Sequence, residues 1–218
     1  MKLYTGPISL FGFKVEMAAL EKGIPLDIEL VPFSPIEGYE PRHPEVLRVN
    51  PKRQVPVLVD QGLELFDSSL ILEFFEDLRP APALWPATPR ARAEARKAEL
   101  FLDEVLFPAM APLYPAIRPH RPKAEIKGAI DTLRNYFQTM DHKLADGRQH
   151  LLGELSFVDI TCLVMLFGAS FLGARPEAGL LQLVNWRNRM LIRPSAAPLR
   201  RGLSYLESLG SPLDWPVS

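Results

Sequence analysis

The first part of the chain alternates between strand-like and helix-like spacing of hydrophobic positions. Residues 1–5 and 26–31 alternate like short strands, because successive side chains of a strand point to opposite faces. Between them, apolar positions recur with helical spacing from residue 9 or 10 to Lys22, and Gly23 then ends the helix, as is typical of a glycine just after a helix. This strand–helix–strand order predicts a parallel strand pair with a right-handed crossover.

The next segments predict a short helix, a hairpin and a longer helix. HPEVLRVNP follows a proline-rich loop and allows one or two helical turns. VPVLVD and LELF flank the turn Gln61-Gly62, a pattern typical of a β-hairpin. SSLILEFFEDL then reads as a helix that begins next to Asp67. The predicted order over residues 1–78 is therefore β-α-β-α-β-β-α.

Every periodic segment in the rest of the chain is helical. A linker rich in proline and alanine occupies 79–89, and the segment after it is dominated by the strong helix formers Ala, Arg and Glu. Apolar residues recur every 3.6 positions from Ile126 to Leu144, which predicts a helix with one buried face. The segment SFVDITCLVMLFGASFL is apolar on nearly all sides, which predicts a central, buried helix. We expect an α/β domain at 1–78, a linker at 79–89 and an all-helical domain at 90–218.

Composition and charge exclude several classes of function. The 218 residues include 25 basic and 26 acidic side chains, so the net charge of −1 gives no electrostatic reason to expect nucleic acid or an anionic membrane as a partner. The chain contains no run of 18 apolar residues and does not begin like a signal peptide. We therefore expect neither a membrane span nor export.

The single cysteine and the histidines exclude further chemistry. Cys162 cannot form a disulfide within the chain, which fits a reducing cytoplasm, and its place in an apolar helix reads as inert core rather than as a nucleophile. The four histidines have no metal-ligand spacing, so we expect no metal.

A proline stands where the third strand should begin. A proline cannot donate to the hydrogen bonds of a sheet, so it is confined to an edge, an entrance or a bulge. Pro56 either opens an edge strand as an ordinary trans residue or follows a cis bond. In the cis case Val55 presents its N–H and C=O outward, where a peptide-like ligand can pair with them.

Two helix starts carry residues that either cap the helix or bind a ligand. Asp67 and Ser68 suit a plain N-cap, or a site where the Ser68 N–H and hydroxyl hold a carboxylate while Asp67 holds an ammonium group. Ser9 is likewise a cap, or a hydroxyl donor to a thiolate held at the positive end of the first helix.

Taken together, four segments resemble the soluble glutathione transferases over nearly the whole chain. They are LYTGPISLFGFKVEMAALEKGIP, NPKRQVPVLVD, LFDSSLILEFFED and LLGELSFVDITCLV. The first resembles the family's strand–Ser–helix opening, the second its segment with a cis-proline, and the third its acidic-Ser ligand motif. The fourth is similar to the family's capping box, with Ser156 and Asp159 as the reciprocal pair. The resemblance implies a thioredoxin-like N-terminal domain, an all-helical C-terminal domain and a homodimer.

The resemblance also implies roles for individual residues. Val55, with cis-Pro56, pairs with the cysteinyl part of glutathione, and Asp67 and Ser68 hold its γ-glutamyl end. Gln54 stands where family members have a Lys or Gln near this peptide. Arg42 lies near the place where some classes hold the glycyl carboxylate, and Ser9 hydrogen-bonds the thiolate, as in the serine-type classes. Glutathione is thus the implied co-substrate, in a detoxification type of reaction.

The second substrate is expected to be an apolar electrophile. Phe107, Met110 and Tyr114 have roughly helical spacing and either line its pocket or pack in the core. Pro108 and Pro112 are expected to break or kink the helix there. The reaction of the thiolate with this electrophile can be an addition, a substitution with loss of halide or an ether cleavage, and the sequence does not distinguish them.

This chain departs from the family pattern at three positions. Arg53 stands where glycine is common, Asp67 replaces the commoner glutamate, and Leu10 follows Ser9 where many serine-type members have proline. Tyr4 and Thr5 also carry hydroxyl groups near this helix start, so they are alternatives to Ser9 as the donor to the thiolate.

A binding or regulatory protein that keeps the fold without turnover is the alternative function. A glutathione-dependent disulfide or dehydroascorbate reductase needs a cysteine where Ser9 stands, so we rank it lower.

Overall fold

Four short strands form one mixed sheet in the order β2-β1-β3-β4 in the computed structural model, which describes residues 1–34, 37–39, 42–114 and 122–210. They are β1 Lys2–Thr5, β2 Asp27–Leu30, β3 Val57–Asp60 and β4 Leu63–Phe66. β1 is parallel to β2, and both other pairings are antiparallel. The predicted parallel pair and hairpin are therefore confirmed. Gln61 and Gly62 adopt left-handed φ angles of 45° and 92°, as a tight two-residue hairpin turn requires.

The helices of residues 1–78 follow the predicted order, and the later ones lie in the region that was predicted to be helical. They are α1 Leu10–Glu21, α2 Pro44–Val49, α3 Ser68–Leu78, α4 Pro89–Phe101, α5 Phe107–Ala109, α6 Lys123–Leu144, α7 Phe157–Phe171, α8 Leu181–Leu191 and α9 Ala197–Ser208. Gly23 has a left-handed φ of 60° just after α1, so the predicted glycine stop is confirmed. None of these helices combines the length and the apolarity that crossing a bilayer requires.

By their contacts, the described residues form two compact units. The first contains Met1–Ala83 and residues 194–210, and the second contains Leu84–Arg193. The last helix, α9, thus groups with the sheet, although it follows the helical region in sequence. The boundaries 1–78, 79–89 and 90–218 stay a prediction.

Alternating side chains of β1 hold helices on both faces of the sheet in the first unit. Tyr4 packs with Val31, Val57 and Val46, the last of which lies on α2. Thr5 points to the other face, where it touches Gly12 of α1. The unit is therefore a sheet between helices, which is the thioredoxin-like arrangement that the family resemblance implies.

A buried lysine joins the C-terminal ends of α1 and α3. The Lys22 side chain is completely buried, and its Nζ lies 2.6 Å from Glu76 Oε2. It also donates to the carbonyl oxygens of Arg79 at 2.8 Å and Pro82 at 2.9 Å. A charge taken out of water needs such a complete set of partners, so this contact fixes how the two helices end.

The second unit is helical, and its first long helix changes geometry near the prolines. α4 continues into a π-helical turn at Leu102–Leu106, then into the short α5 and a 3₁₀ turn at Ala111–Leu113. The break predicted around Pro108 and Pro112 is confirmed. The predicted buried helix is confirmed as well, since Phe157 to Ser170 of α7 are all buried.

A buried carboxylate organises the start of α7. Asp159 accepts hydrogen bonds from the N–H and hydroxyl of Ser156 at 3.1 and 2.8 Å, so the predicted capping pair is present. It also accepts from the Leu151 N–H at 2.9 Å and from Trp186 Nε1 at 3.0 Å. Burial raises the pKa of Asp159, and these hydrogen bonds oppose the shift.

We expect Asp159→Ala to lower the free energy of unfolding by about 3 kcal/mol or more, because four buried donors lose their acceptor at once. Urea denaturation checks this. Asp146→Ala is the matched control, since Asp146 pairs with Arg148 on the surface, where an ion pair contributes little to stability. Equal losses in the two variants would contradict the structural role of Asp159.

Candidate functional site

The register of the sheet brings three chain segments to one edge of the first unit. Tyr4 lies opposite Val57, and Val57 lies opposite Phe66. These paired residues form a row across the sheet, and at this row β1 and β4 end and β3 begins. Since α1 follows β1 and α3 follows β4, both helices begin at this edge, beside Val55 and Pro56.

Ser9 is the N-cap of α1. Its Oγ accepts a hydrogen bond from the Gly12 N–H at 3.1 Å, and the residue is 8% exposed. Its hydroxyl hydrogen is donated to no residue in the described part of the chain. The cap therefore uses the acceptor side of the hydroxyl and leaves the donor side for an anion at the positive helix end.

The two rival hydroxyls differ in their surroundings. Tyr4 packs in the hydrophobic cluster, with its ring 5.0 Å from the ring of His43, which is the structural role expected for it. Thr5 is completely buried, and its Oγ1 has no hydrogen-bond partner among the described residues. A Cβ atom on Gly12 would come 1.8 Å from this oxygen. Thr5 thus lies directly under the first turn of α1.

The segment before β3 leaves a backbone edge unpaired. The Val55–Pro56 peptide bond is cis, and Pro56 is buried while Val55 is half-buried. Neither the N–H nor the C=O of Val55 bonds to a residue that the structure describes. An extended peptide can therefore add to the chain at this residue.

A buried asparagine that the sequence analysis did not single out holds this loop. Asn50 is 3% exposed, and its Nδ2 donates to the Gln54 carbonyl at 2.6 Å while its Oδ1 accepts from the Lys52 N–H at 2.8 Å. The Asn-Pro pair is a turn signal that could have identified it. Arg42 reaches the same loop, since its Nη1 donates to the Arg53 carbonyl. Gln54 itself is exposed.

The departure at Arg53 has a conformational explanation. Arg53 has a φ of 57°, in the left-handed region that glycine adopts without a steric penalty. A side chain there costs about 1 kcal/mol or more.

Asp67 is the N-cap of α3, and Ser68 is its first residue. Asp67 Oδ1 accepts from the Ser69 N–H at 3.1 Å, and Oδ2 lies 3.1 Å from Lys52 Nζ, a partner that the sequence analysis missed. Asp67 has a left-handed φ of 75°, a strained conformation that clusters at binding sites. The N–H of Ser68 bonds to none of the described residues. A carboxylate acceptor and a free N–H thus stand side by side.

The residues expected to contact an electrophile lie in the second unit. The rings of Phe107 and Tyr114 are 6.4 Å apart, whereas Met110 is fully buried. Burial raises the pKa of Tyr114 to about 12, so its phenol stays protonated at neutral pH and remains a donor. Only Phe107 and Tyr114 of the three keep exposed surface.

Cys162 is buried as predicted, and burial raises the pKa of its thiol to about 12. Within the described ranges, His, Cys, Asp and Glu side chains form no group of three or more that could hold a metal ion.

Comparison with protein families finds two matching domains. The model of the glutathione S-transferase N-terminal domain matches residues 8–78. The model of the glutathione S-transferase C-terminal domain matches residues 102–194.

The curated relatives carry different names. A stringent starvation protein A homolog of Haemophilus ducreyi is 25% identical over 183 residues, which are 82% of this chain and 81% of the relative. A homolog of the same name from Coxiella burnetii is 35% identical over 98 residues, so this chain spans only 43% of that relative and 44% of itself. Maleylacetoacetate isomerase of Pseudomonas aeruginosa is 41% identical over 98 residues, which are 44% of this chain and 45% of the isomerase.

Solved structures match over more of the chain. A sphingomonad glutathione S-transferase complexed with glutathione is 27% identical with a TM-score of 0.76, over 93% of this chain and 98% of that one. A glutathione S-transferase from Rhodospirillum rubrum is 26% identical with a TM-score of 0.76, over 91% of this chain and 90% of that one.

We expect Gly12→Ala to lower the free energy of unfolding by about 2 kcal/mol, because the new methyl group collides with Thr5 Oγ1. Removing the obstacle in the double variant Thr5→Ala/Gly12→Ala should recover most of this loss relative to Thr5→Ala alone. Urea denaturation of the four proteins measures the coupling.

Gly128→Ala is the matched control for this substitution. Gly128 lies within α6, and a Cβ there meets no atom within 4 Å. Alanine should therefore stabilise that helix by up to about 1 kcal/mol. The same effect at both glycines would contradict the close contact between Gly12 and Thr5.

Proposed function

The chain belongs to the glutathione S-transferase family, and we propose that it is a glutathione transferase that activates the thiol of glutathione for attack on an apolar electrophile. The observation that carries this proposal is the convergence of three features at one sheet edge. These are the capping hydroxyl of Ser9, the unpaired backbone of Val55 and the start of α3 at Asp67 and Ser68.

The functional groups at this edge fit the parts of glutathione in turn. Val55 offers one N–H and one C=O, which is what an extended cysteinyl residue needs for strand-like pairing. The Ser68 N–H at the positive end of α3 suits the γ-glutamyl carboxylate, and Asp67 suits the adjacent ammonium group. Arg42 and Gln54 border the Val55 segment, with Arg42 toward the glycyl carboxylate.

The proposed chemistry begins with loss of the thiol proton to solvent. A thiolate near Ser9 accepts a hydrogen bond from the serine hydroxyl and is stabilised by the positive end of α1, and both effects lower a free-thiol pKa of about 8.5. The sulfur then donates its electron pair to carbon of the electrophile, forming a C–S bond. In a substitution the leaving group departs with its electron pair, and in an addition the new carbanion or enolate takes a proton.

The electrophile is assigned to the helical unit. Phe107 and Tyr114 provide aromatic surface and a protonated phenol, while Met110 supports them from the core. One relative is named maleylacetoacetate isomerase, so isomerisation is among the reactions to test.

We propose that the protein acts as a homodimer in a reducing cytoplasm. Exposed apolar side chains support the dimer, among them Leu100, Phe101 and Val105 at the end of α4 and the turn after it. The single, buried Cys162 supports the compartment.

A non-catalytic binding protein is the second candidate. Two observations favour it: Asp67 already pairs with Lys52, and curated relatives are named stringent starvation protein A homologs, a name that does not denote a transferase. Glutathione binding without thiolate formation distinguishes this candidate from the enzyme.

We expect Ser9→Ala to raise the thiol pKa of bound glutathione by about one unit, because a hydrogen bond to the thiolate contributes about 1.4 kcal/mol. The measurement is an ultraviolet difference titration of protein plus glutathione against pH, following thiolate absorbance. The thiolate form should appear near or below neutral pH in the wild type.

Thr88→Ala is the control for the lost helix cap, since Thr88 caps α4 in the same way, accepting from the Ala91 N–H at 3.3 Å. It should leave the titration unchanged. An unchanged titration in Ser9→Ala would mean that Thr5, or the positive end of α1 alone, stabilises the thiolate. No thiolate below the free-thiol pKa, with binding confirmed by calorimetry, would sink the transferase proposal and leave the binding protein.

We expect Asp67→Asn to weaken glutathione binding about tenfold, because the ligand's ammonium group loses its charged partner. Asparagine keeps the size and the capping oxygen of aspartate, so the fold should persist. Calorimetry with glutathione and with an analogue lacking the α-amino group separates the effects: only glutathione should bind more weakly. Asp131→Asn, at another aspartate paired with an exposed lysine, is the control. Equal losses for both ligands would contradict the assigned contact.

A further inference from the structure

A groove in the first unit lies away from the proposed glutathione site. It has a volume of about 380 Å³ and runs between α1, β2 and the start of α9. Its walls are mostly apolar and include Ala19, Leu20, Ile24, Ile28 and Pro198. The groove uses the C-terminal half of α1, whereas Ser9 caps the other end of that helix. Its volume falls within the range of small-molecule sites.

One ion pair interrupts the apolar lining. Glu16 of α1 is 2% exposed, and its Oε1 lies 2.7 Å from Nη2 of Arg201 on α9. Glu16 Oε2 and Arg201 Nε are both buried and have no hydrogen-bond partner among the described residues. A buried polar atom that stays unsatisfied is unfavourable, so each of these atoms favours a ligand that can pair with it. The ion pair behind the groove wall therefore keeps one spare acceptor and one spare donor, which a ligand reaches when the Arg201 side chain turns outward.

These spare atoms select the chemistry of a ligand. Glu16 and Arg201 already neutralise each other, so a charged ligand would lose its hydration without gaining a counter-charge. A hydroxyl group can donate to one atom and accept from the other. The apolar walls suit a hydrocarbon body attached to that hydroxyl.

We propose that this groove is a second binding site, which takes a small, neutral, largely apolar alcohol. Its hydroxyl donates to Glu16 Oε2 and accepts from Arg201 Nε. The Arg201 side chain is 35% exposed, so it has room to turn outward and admit the ligand's oxygen, whereas Glu16 is held within the unit at 1% exposure.

A matched set of probes tests the proposal. The probes are 2-naphthylmethanol, its methyl ether, and the corresponding amine and carboxylate, all titrated by calorimetry in the presence of saturating S-hexylglutathione. S-Hexylglutathione occupies the proposed glutathione and electrophile sites, so the remaining binding reports the groove. The alcohol should bind about tenfold tighter than the ether, because only the alcohol can donate to Glu16. Both charged probes should bind more weakly than the alcohol.

Two variants locate the bound alcohol. Leu20→Lys places a charge in the apolar wall and should weaken alcohol binding about tenfold or more. Leu78→Lys is its control, since both leucines are 51% exposed on helices and Leu78 is not among the residues that line the groove. Glu16→Gln replaces an acceptor by a donor, so alcohol and ether should then bind alike.

Circular dichroism reports whether Glu16→Gln folds, and Leu20→Lys tests the site independently because its side chain is on the surface. The proposal is overturned if S-hexylglutathione abolishes alcohol binding, if Leu20→Lys binds the alcohol like the wild type, or if the ether or a charged probe binds as well as the alcohol.

Discussion

The pairing of β3 between β1 and β4 is the constraint on which the candidate site depends. Tyr4, Val57 and Phe66 lie in one row, and this row brings the starts of α1 and α3 to Val55. A slip of one residue would turn every side chain of β3 to the opposite face. Val57 would then leave the cluster with Tyr4, so hydrophobic packing holds the register and, through it, the site.

The helix caps of the two units differ in whether polar groups remain available to bind a ligand. At α7, Asp159 is completely buried and its hydrogen bonds are all made within the protein. At α1 and α3, Ser9 and Asp67 also cap their helices, but the hydroxyl hydrogen of Ser9 and the N–H of Ser68 remain unused among the described residues. The structural and the functional interpretations of these two caps are therefore compatible. The same residue types differ in role because their surroundings differ.

Close packing under α1 places a further demand on the sequence. Gly12 has no side chain, which allows Thr5 to lie directly beneath the first turn. The turn carries Ser9, so the height of that hydroxyl above the sheet depends on a contact between two residues that no sequence motif pairs. Glycine at this position is required by space rather than by backbone conformation, because helical φ angles suit any residue.

Local patterns were enough to predict the element order of residues 1–78, the hairpin turn and the glycine stop after α1, and the family resemblance added the capping pair at α7. Each of these depends on residues a few positions apart, whose interactions are nearly the same in any protein. The buried helix was predicted for the same reason, since an apolar surface on all sides leaves no face for water. The family's motif residues also identified the segments that meet at the sheet edge.

Only the tertiary structure decided which groups pair across long separations in the chain. Lys52 with Asp67, Lys22 with Glu76 and Glu16 with Arg201 join segments whose meeting depends on the whole first unit. The same holds for the grouping of α9 with the sheet and for the groove beside it. A charged residue looks solvent-exposed in sequence until a distant partner is known. The sequence by itself therefore determined the elements and their caps, while burial and charge pairing followed from packing, because they are properties of neighbours in space.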